Sequence, residues 1–222
     1  MMKKNGFTLA EVLITLAIIG VVATLTLPAL MTNTQEQQSR TALKKGINTL
    51  TEAAQMNQAI DGFDYATFST TSTNDDDTLS LYALLSKRTT MDYQASAQGA
   101  TTNESKLVNN GASNYVVFFR DGAALVFPNT EAATTGNTVS NPAADGLPYG
   151  IKAVYDTNGK KGPNLISNCQ GVGSMKPGAA QNDSSGNCGD KSKRVIKDQF
   201  GVRLRGSFAV PNGAAARWAF EN

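Results

Sequence analysis

Residues Lys3 to Leu30 read KKNGFTLAEVLITLAIIGVVATLTLPAL, and the placement of charge in that stretch decides how the rest of the chain is understood. Two lysines and a glycine precede an apolar run whose single charged residue is Glu11, five positions after Gly6. An acidic side chain at the centre of a membrane helix costs roughly 2.5–3.5 kcal/mol on insertion scales, so Glu11 calls for a partner. As a helix, the run from Phe7 to Leu30 is about 36 Å long at ~1.5 Å per residue, enough to cross a hydrocarbon layer of roughly 30 Å with some tilt. Lys3 and Lys4 put the short N-terminus in the cytoplasm under the positive-inside bias and send everything after Leu30 to the other side.

Two ordinary readings of such a run fail on Glu11. A cleaved secretory signal has an apolar core of roughly 7–15 residues followed by a small-residue cleavage site; this run is longer, carries a carboxylate and ends in Leu-Pro-Ala-Leu-Met. A plain single-pass anchor matches the length but offers no charge to pair with Glu11. Gly6, Phe7, Thr8, Leu9, Ala10 and Glu11, with the apolar run and Pro28 behind them, resemble the N-terminal signature of type IV pilins and of the pseudopilins of type II secretion. The resemblance implies cleavage after Gly6 by a prepilin peptidase, N-methylation of the new terminus at Phe7, and assembly from the bacterial inner membrane into a helical filament. Carried over by position, Glu11 pairs with the Phe7 amine of a neighbouring subunit. The physics is consistent: in a bundle of such helices an amine and a carboxylate neutralise each other away from water, and because breaking the pair is costly it sets register. Pro28 removes one helix hydrogen bond and clashes with the preceding turn, so a kink is expected near Thr24–Pro28.

At 222 residues the chain holds one helical spine and one head domain large enough to bury a core. The expected organisation is a leader at 1–6, an assembly helix at 7–30, its amphipathic continuation at 31–62 and the head at 63–222. Charged residues make up 17% and net charge is +2, which supports no nucleic-acid partner. Histidine is absent, removing Ser-His-Asp and Cys-His catalysis and the commonest zinc ligand. With no G-x-S-x-G, phosphate-cradling loop or HExxH either, no enzyme is expected.

Met31 to Ile60 continues the helix: Leu43, Ile47, Leu50 and Ala54 form one apolar stripe, and Gly62 suits a stop. Asp64 to Asn114 reads as a polar connection with one apolar island, Leu79–Leu85, as a short helix entered through Asp77 or Thr78. Asp75, Asp76 and Asp77 are better placed to cap that helix than to share one metal ion.

Tyr115–Phe119 and Ala123–Phe127 predict a hairpin around Arg120-Asp121-Gly122, Ile151–Tyr155 a third strand, and Val202–Val210 a fourth and fifth bent at Gly206. A helix spine followed by antiparallel strands is an α+β plan, pilin-like in outline. DTNGKKGPN at Asp156–Asn164, with Asp198-Gln199-Phe200 later, resembles a pattern of many pilin-like proteins, but an insert of about thirty residues separates the parts and puts a shared role in doubt. Asp156 and Asn158 have the oxygens of a calcium loop, as some pseudopilins do; Gly159 falls at the fourth position rather than the sixth, so this is no EF-hand, and Asn-Gly is a turn signal in itself. The turn is the preferred reading, with no cofactor. Cys169 and Cys188 lie in the insert, a segment with almost no apolar content, and in an exported chain they read as one disulfide closing a C-terminal loop. A metal pair would need further ligands; two free thiols would suit an anaerobe. By resemblance such a loop is the surface where pilins meet partners.

The resulting expectation is a structural subunit of a type IV pilus or type II secretion pseudopilus. It spans the inner membrane once and ends in an extracellular pilus or periplasmic pseudopilus. Its partners are the prepilin peptidase/methyltransferase, identical or related subunits and the assembly platform. The competing expectation is an anchored extracytoplasmic binding domain that never polymerises.

Overall fold

The computed structural model describes residues 6–66, 81–92, 97–100, 114–128, 150–171 and 188–222, the backbone alone at 28, 29, 32, 97–100, 114, 115 and 128. Lys3, Lys4, the aspartates 75–77 and the interior of the Cys169–Cys188 loop at 172–187 lie outside the described residues, as does the ring of Pro28. Two compact units are present, Met1–Gln38 and Ser39–Asn222.

Helix α1, Leu9–Asp61, begins in the first unit and ends in the second. In the first unit its described large apolar side chains are exposed, and Leu9–Leu27 forms a 19-residue segment of mean hydropathy 2.3 with none of it buried. That segment is long and apolar enough to cross a membrane. Its threonines are compatible with hydrocarbon because their hydroxyls bond back to the helix: Thr15 to the Val12 carbonyl, Thr24 to Val21 and Thr26 to Val22, at 2.8–3.0 Å. The α-helical assignment continues across Pro28.

In the second unit the expected stripe is the buried face. Leu43, Ile47, Leu50 and Ala54 are at most 4% exposed, joined by Ala53 and Asn57. The helix stops where Gly62 turns left-handed at φ 78°. The chain leaving it is tied down twice: Asn57 Nδ2 donates to the Phe63 carbonyl and the Tyr65 hydroxyl to that of Leu50. Helix α2, Leu81–Arg88, buries Leu81–Leu85 and packs Leu81, Tyr82, Leu84 and Leu85 into the same core, and Arg88 and Lys87 reach back to Asp61.

The sheet is antiparallel, in the order β1 (Ala97–Ala100), β2 (Asn114–Phe118), β3 (Ala124–Pro128), β4 (Ile151–Asp156), β5 (Gln199–Arg205), β6 (Phe208–Pro211). Each expected strand is present within a few residues. Gly122 (φ 92°) makes the β2–β3 turn and Gly206 (φ 51°) the β5–β6 turn. Alternate residues face opposite ways, as strands require. Val117, Leu125, Tyr155, Phe200 and Val202 join the α1 core, while Val116, Phe118, Ala124, Val126 and Val154 form a second cluster covered by Ile166.

Two elements were not expected. β1 lies inside the segment read as a connection; its sequence, AQGA, has none of the branched or aromatic residues that signal a strand, and its pairing with β2 is irregular. Helix α3, Ala214–Glu221, buries Ala215, Ala216 and Ala219, and small alanines make too faint an apolar stripe to stand out beside Val210. The α+β class holds: apolar N-terminal helix, antiparallel sheet and a Cys169–Cys188 disulfide with Cα atoms 5.0 Å apart.

Candidate functional site

The helix start is built from four residues, Thr8-Leu9-Ala10-Glu11. Thr8 precedes the first helical residue, and its hydroxyl accepts from the Glu11 N–H at 3.3 Å. Glu11 reaches back, its Oε2 accepting from the Thr8 N–H at 2.8 Å and from the Thr8 hydroxyl at 2.9 Å. This is a reciprocal capping box, S/T-x-x-E, satisfying N–H groups that the first turn would otherwise leave orphaned. The acidic group also lies at the positive end of the helix dipole. The run offers Glu11 no charge, but it does offer a neutral hydrogen-bond partner, Thr8. The T-x-x-E spacing was visible in the sequence and is the signal that reveals it.

Both bonds fall on Oε2, and among the described residues Oε1 accepts none. Immediately upstream, Gly6, Phe7 and Thr8 are non-helical and exposed, and Phe7 is 89% exposed. Among the described residues a Cβ placed on Gly6 would meet no atom within 4 Å.

Residues 1–27 match the family model of the prokaryotic N-terminal methylation motif. This is the type IV pilin and pseudopilin signature. No curated protein and no solved structure matches the chain. The signature, with the apolar segment directly inside it, fits a membrane-anchored protein and points to a structural subunit rather than an enzyme.

A second constellation lies in the head. The insert was expected to separate Asp156–Asn164 from Asp198-Gln199; the fold brings them together. Asp198 Oδ2 accepts from the Asn164 N–H at 2.7 Å and Oδ1 from the Leu165 N–H at 2.9 Å, while its carbonyl accepts from the N–H and hydroxyl of Thr157. Asp156 is fully buried; its Oδ1 caps the turn by accepting from the Asn158 N–H at 3.0 Å. Its Oδ2 accepts from Gln199 Nε2 at 2.9 Å. Burial pushes the Asp156 pKa up to about 7, against the hydrogen bonds from Gln199 and Asn158, with the nearby Asp198 charge adding to the rise. The insert does not keep these parts apart, because β4 and β5 are sheet neighbours. Among the described residues no group of three or more His, Cys, Asp or Glu could hold a metal. Asn158 Oδ1 and Asn164 Oδ1 are buried without a hydrogen-bond partner there.

The disulfide is buried against α3. Trp218 packs on the cluster formed by Cys169, Cys188 and Ala215 and is faced by two guanidinium groups, Arg194 at 3.8 Å and Arg40 at 4.7 Å from its ring centroid. Arg194 also donates to the Cys188 carbonyl.

Proposed function

We propose that this chain is the precursor of a type IV pilus or type II secretion pseudopilus subunit. It is inserted in the bacterial inner membrane with its N-terminus cytoplasmic, cut after Gly6, methylated on Phe7 and assembled through its N-terminal helix. The supporting observation is the arrangement of Glu11 inside the methylation motif, at the start of the apolar segment Leu9–Leu27, none of which is buried. An apolar helix left bare in the monomer is complete only in lipid or against other helices. Capping by Thr8 holds one carboxylate oxygen at the helix start and leaves the other without a hydrogen bond among the described residues, where the new Phe7 amine of a neighbour would find it.

Mass spectrometry of the mature chain from its native host tests the reading. The expected N-terminal peptide starts at Phe7 and carries one methyl group on its amine. An intact Met1 or Met2 terminus would overturn the proposal and favour an anchored domain that does not polymerise.

A further inference from the structure

The face of the sheet turned away from α1 carries positive charge that no carboxylate balances. Ile151, Ala153, Val202 and Leu204 belong to the α1 core, so by strand alternation Lys152, Arg203 and Arg205 point to the opposite face. Lys152 on β4 and Arg203 on β5 are direct partners across the antiparallel ladder. Side chains so placed have Cβ atoms about 4.5–5.5 Å apart, and like charges there destabilise a sheet. Neither side chain joins an ion pair or a hydrogen bond among the described residues, and Arg203 Nε and Nη1 are buried without a hydrogen-bond partner. Asp156 is the only acidic residue in the six strands. It lies four positions from Lys152, about 13 Å along the strand, and its oxygens already accept from Gln199 and Asn158.

A buried donor without an acceptor is costly and calls for an explanation. Water would satisfy the orphaned N–H groups of Arg203 but would leave two like charges opposite each other; an anion removes both costs. Arg203 is only partly buried as a whole, so its guanidinium is reached from this face. The neighbouring positions bring no competing charge: Val210 and Phe208 of β6 pair with Arg203 and Arg205. Gly150, just before β4, carries no side chain, and a Cβ there would run into the Leu204 carbonyl oxygen and stand 2.7 Å from Arg205 Cβ. Two adjacent cations are balanced by more than one negative charge. A carboxylate carries one, whereas a phosphate group carries about 1.5 to 2 at neutral pH. Guanidinium N–H groups match phosphate oxygens in direction, and an ammonium adds a point charge. We propose that Lys152 and Arg203 form a binding site for a phosphate group, either free inorganic phosphate or the end of a phosphate monoester. Arg205, on the same face, adds to the positive field.

The test uses the full chain in a maltoside detergent, which holds no phosphate, at neutral pH and low salt. Phosphorus NMR titrations with inorganic phosphate and with glycerol 3-phosphate at millimolar concentration should show binding of at least one, and acetate should compete poorly. Arg203→Met and Lys152→Gln should each weaken binding at least about tenfold, the loss expected for a hydrogen bond between charged groups. Lys45→Gln removes the same charge from α1, on the other side of the sheet, and should leave binding unchanged. Without phosphate, Lys152→Gln should melt no lower than the wild-type chain, because the lost ammonium had no protein partner. Added phosphate should raise the Tm of the wild-type chain more than that of this variant, since only a ligand of the folded state shifts its stability. Binding of the ester alone or of inorganic phosphate alone identifies the source and upholds the site. Binding of neither, equal binding of acetate, or a loss in Lys45→Gln as large as in Arg203→Met and Lys152→Gln would overturn it.

Discussion

Gln199 donates through Nε2 to Asp156 Oδ2 at 2.9 Å, a bond between two fully buried side chains that are 43 residues apart. It links adjacent strands across the base of the insert and holds a carboxyl that its surroundings would rather keep neutral.

Stability should therefore depend on pH through Asp156. Its folded pKa is about 7 against an ordinary value of 3.8, so between these values the folded state binds the proton more tightly than the unfolded chain. Stability from this group is then full below about pH 4 and is lost as pH rises towards 7, by an amount on the order of a few kcal/mol. Thermal melts of the full chain should show a higher Tm at pH 5 than at pH 8, a difference that Asp156→Asn should shrink. An unchanged slope in that variant would place the titration elsewhere.

Calcium provides a separate check on the same residues. Both Asp156 oxygens already accept N–H bonds, the role of a turn acceptor. Melts at pH 8 with calcium or with a chelator should superimpose, since only a ligand of the folded state shifts its stability. A rise of many degrees would make Asp156, with the unpartnered Asn158 and Asn164 oxygens, a cation site.

Gly159→Ala should be among the most damaging single-atom additions in the head. Gly159 has φ 61°, and a Cβ there would stand 2.5 Å from the backbone carbonyl oxygen of Gly122 in the β2–β3 turn. Left-handed backbone costs a residue with Cβ about 1–2 kcal/mol and overpacking about 1–3 kcal/mol, so a loss of about 2–5 kcal/mol in denaturant unfolding is expected. A loss below about 0.5 kcal/mol would mean that the two turns separate easily, since surface changes stay within that range.

Reduction of Cys169–Cys188 should be visible at Trp218, the sole tryptophan. Closing a loop with a sequence separation of 19 removes unfolded-state entropy worth roughly 3 kcal/mol in the chain-entropy model. Cys169→Ser with Cys188→Ser should give a folded chain of lower Tm whose indole emission differs from that of the oxidised protein. The sheet core, which does not include the bridge, should keep its far-ultraviolet signal. Identical emission in the two forms would remove the coupling between bridge and indole.

Glu11→Ala should leave membrane insertion intact, because the run only becomes more apolar, and should lower incorporation into filaments. Thr8→Ala removes the cap without removing the carboxylate; it should loosen the first turn by about 0.5–2 kcal/mol in helix stability and reduce incorporation less than Glu11→Ala does. Normal filament yield from Glu11→Ala would show that the carboxylate is not needed for assembly.

What could be read along the chain was whatever is encoded by local spacing. The apolar run with one acid, the stripe Leu43-Ile47-Leu50-Ala54, the stop at Gly62 and the Asp121-Gly122 turn all depend on residues within a few positions of each other, and each produced the element it signals. The methylation motif is legible for the same reason, since a peptidase and a helix cap both recognise a short contiguous segment. Tertiary structure alone decided the rest. Asp156 meets Gln199, Asn164 meets Asp198, and Tyr155 comes to lie against Gly46 only because strands and helix distant in sequence are packed on one core. β1 and α3 escaped notice because AQGA and an alanine-rich segment carry weak intrinsic signals, and their conformation is set by the neighbours that bury or pair them.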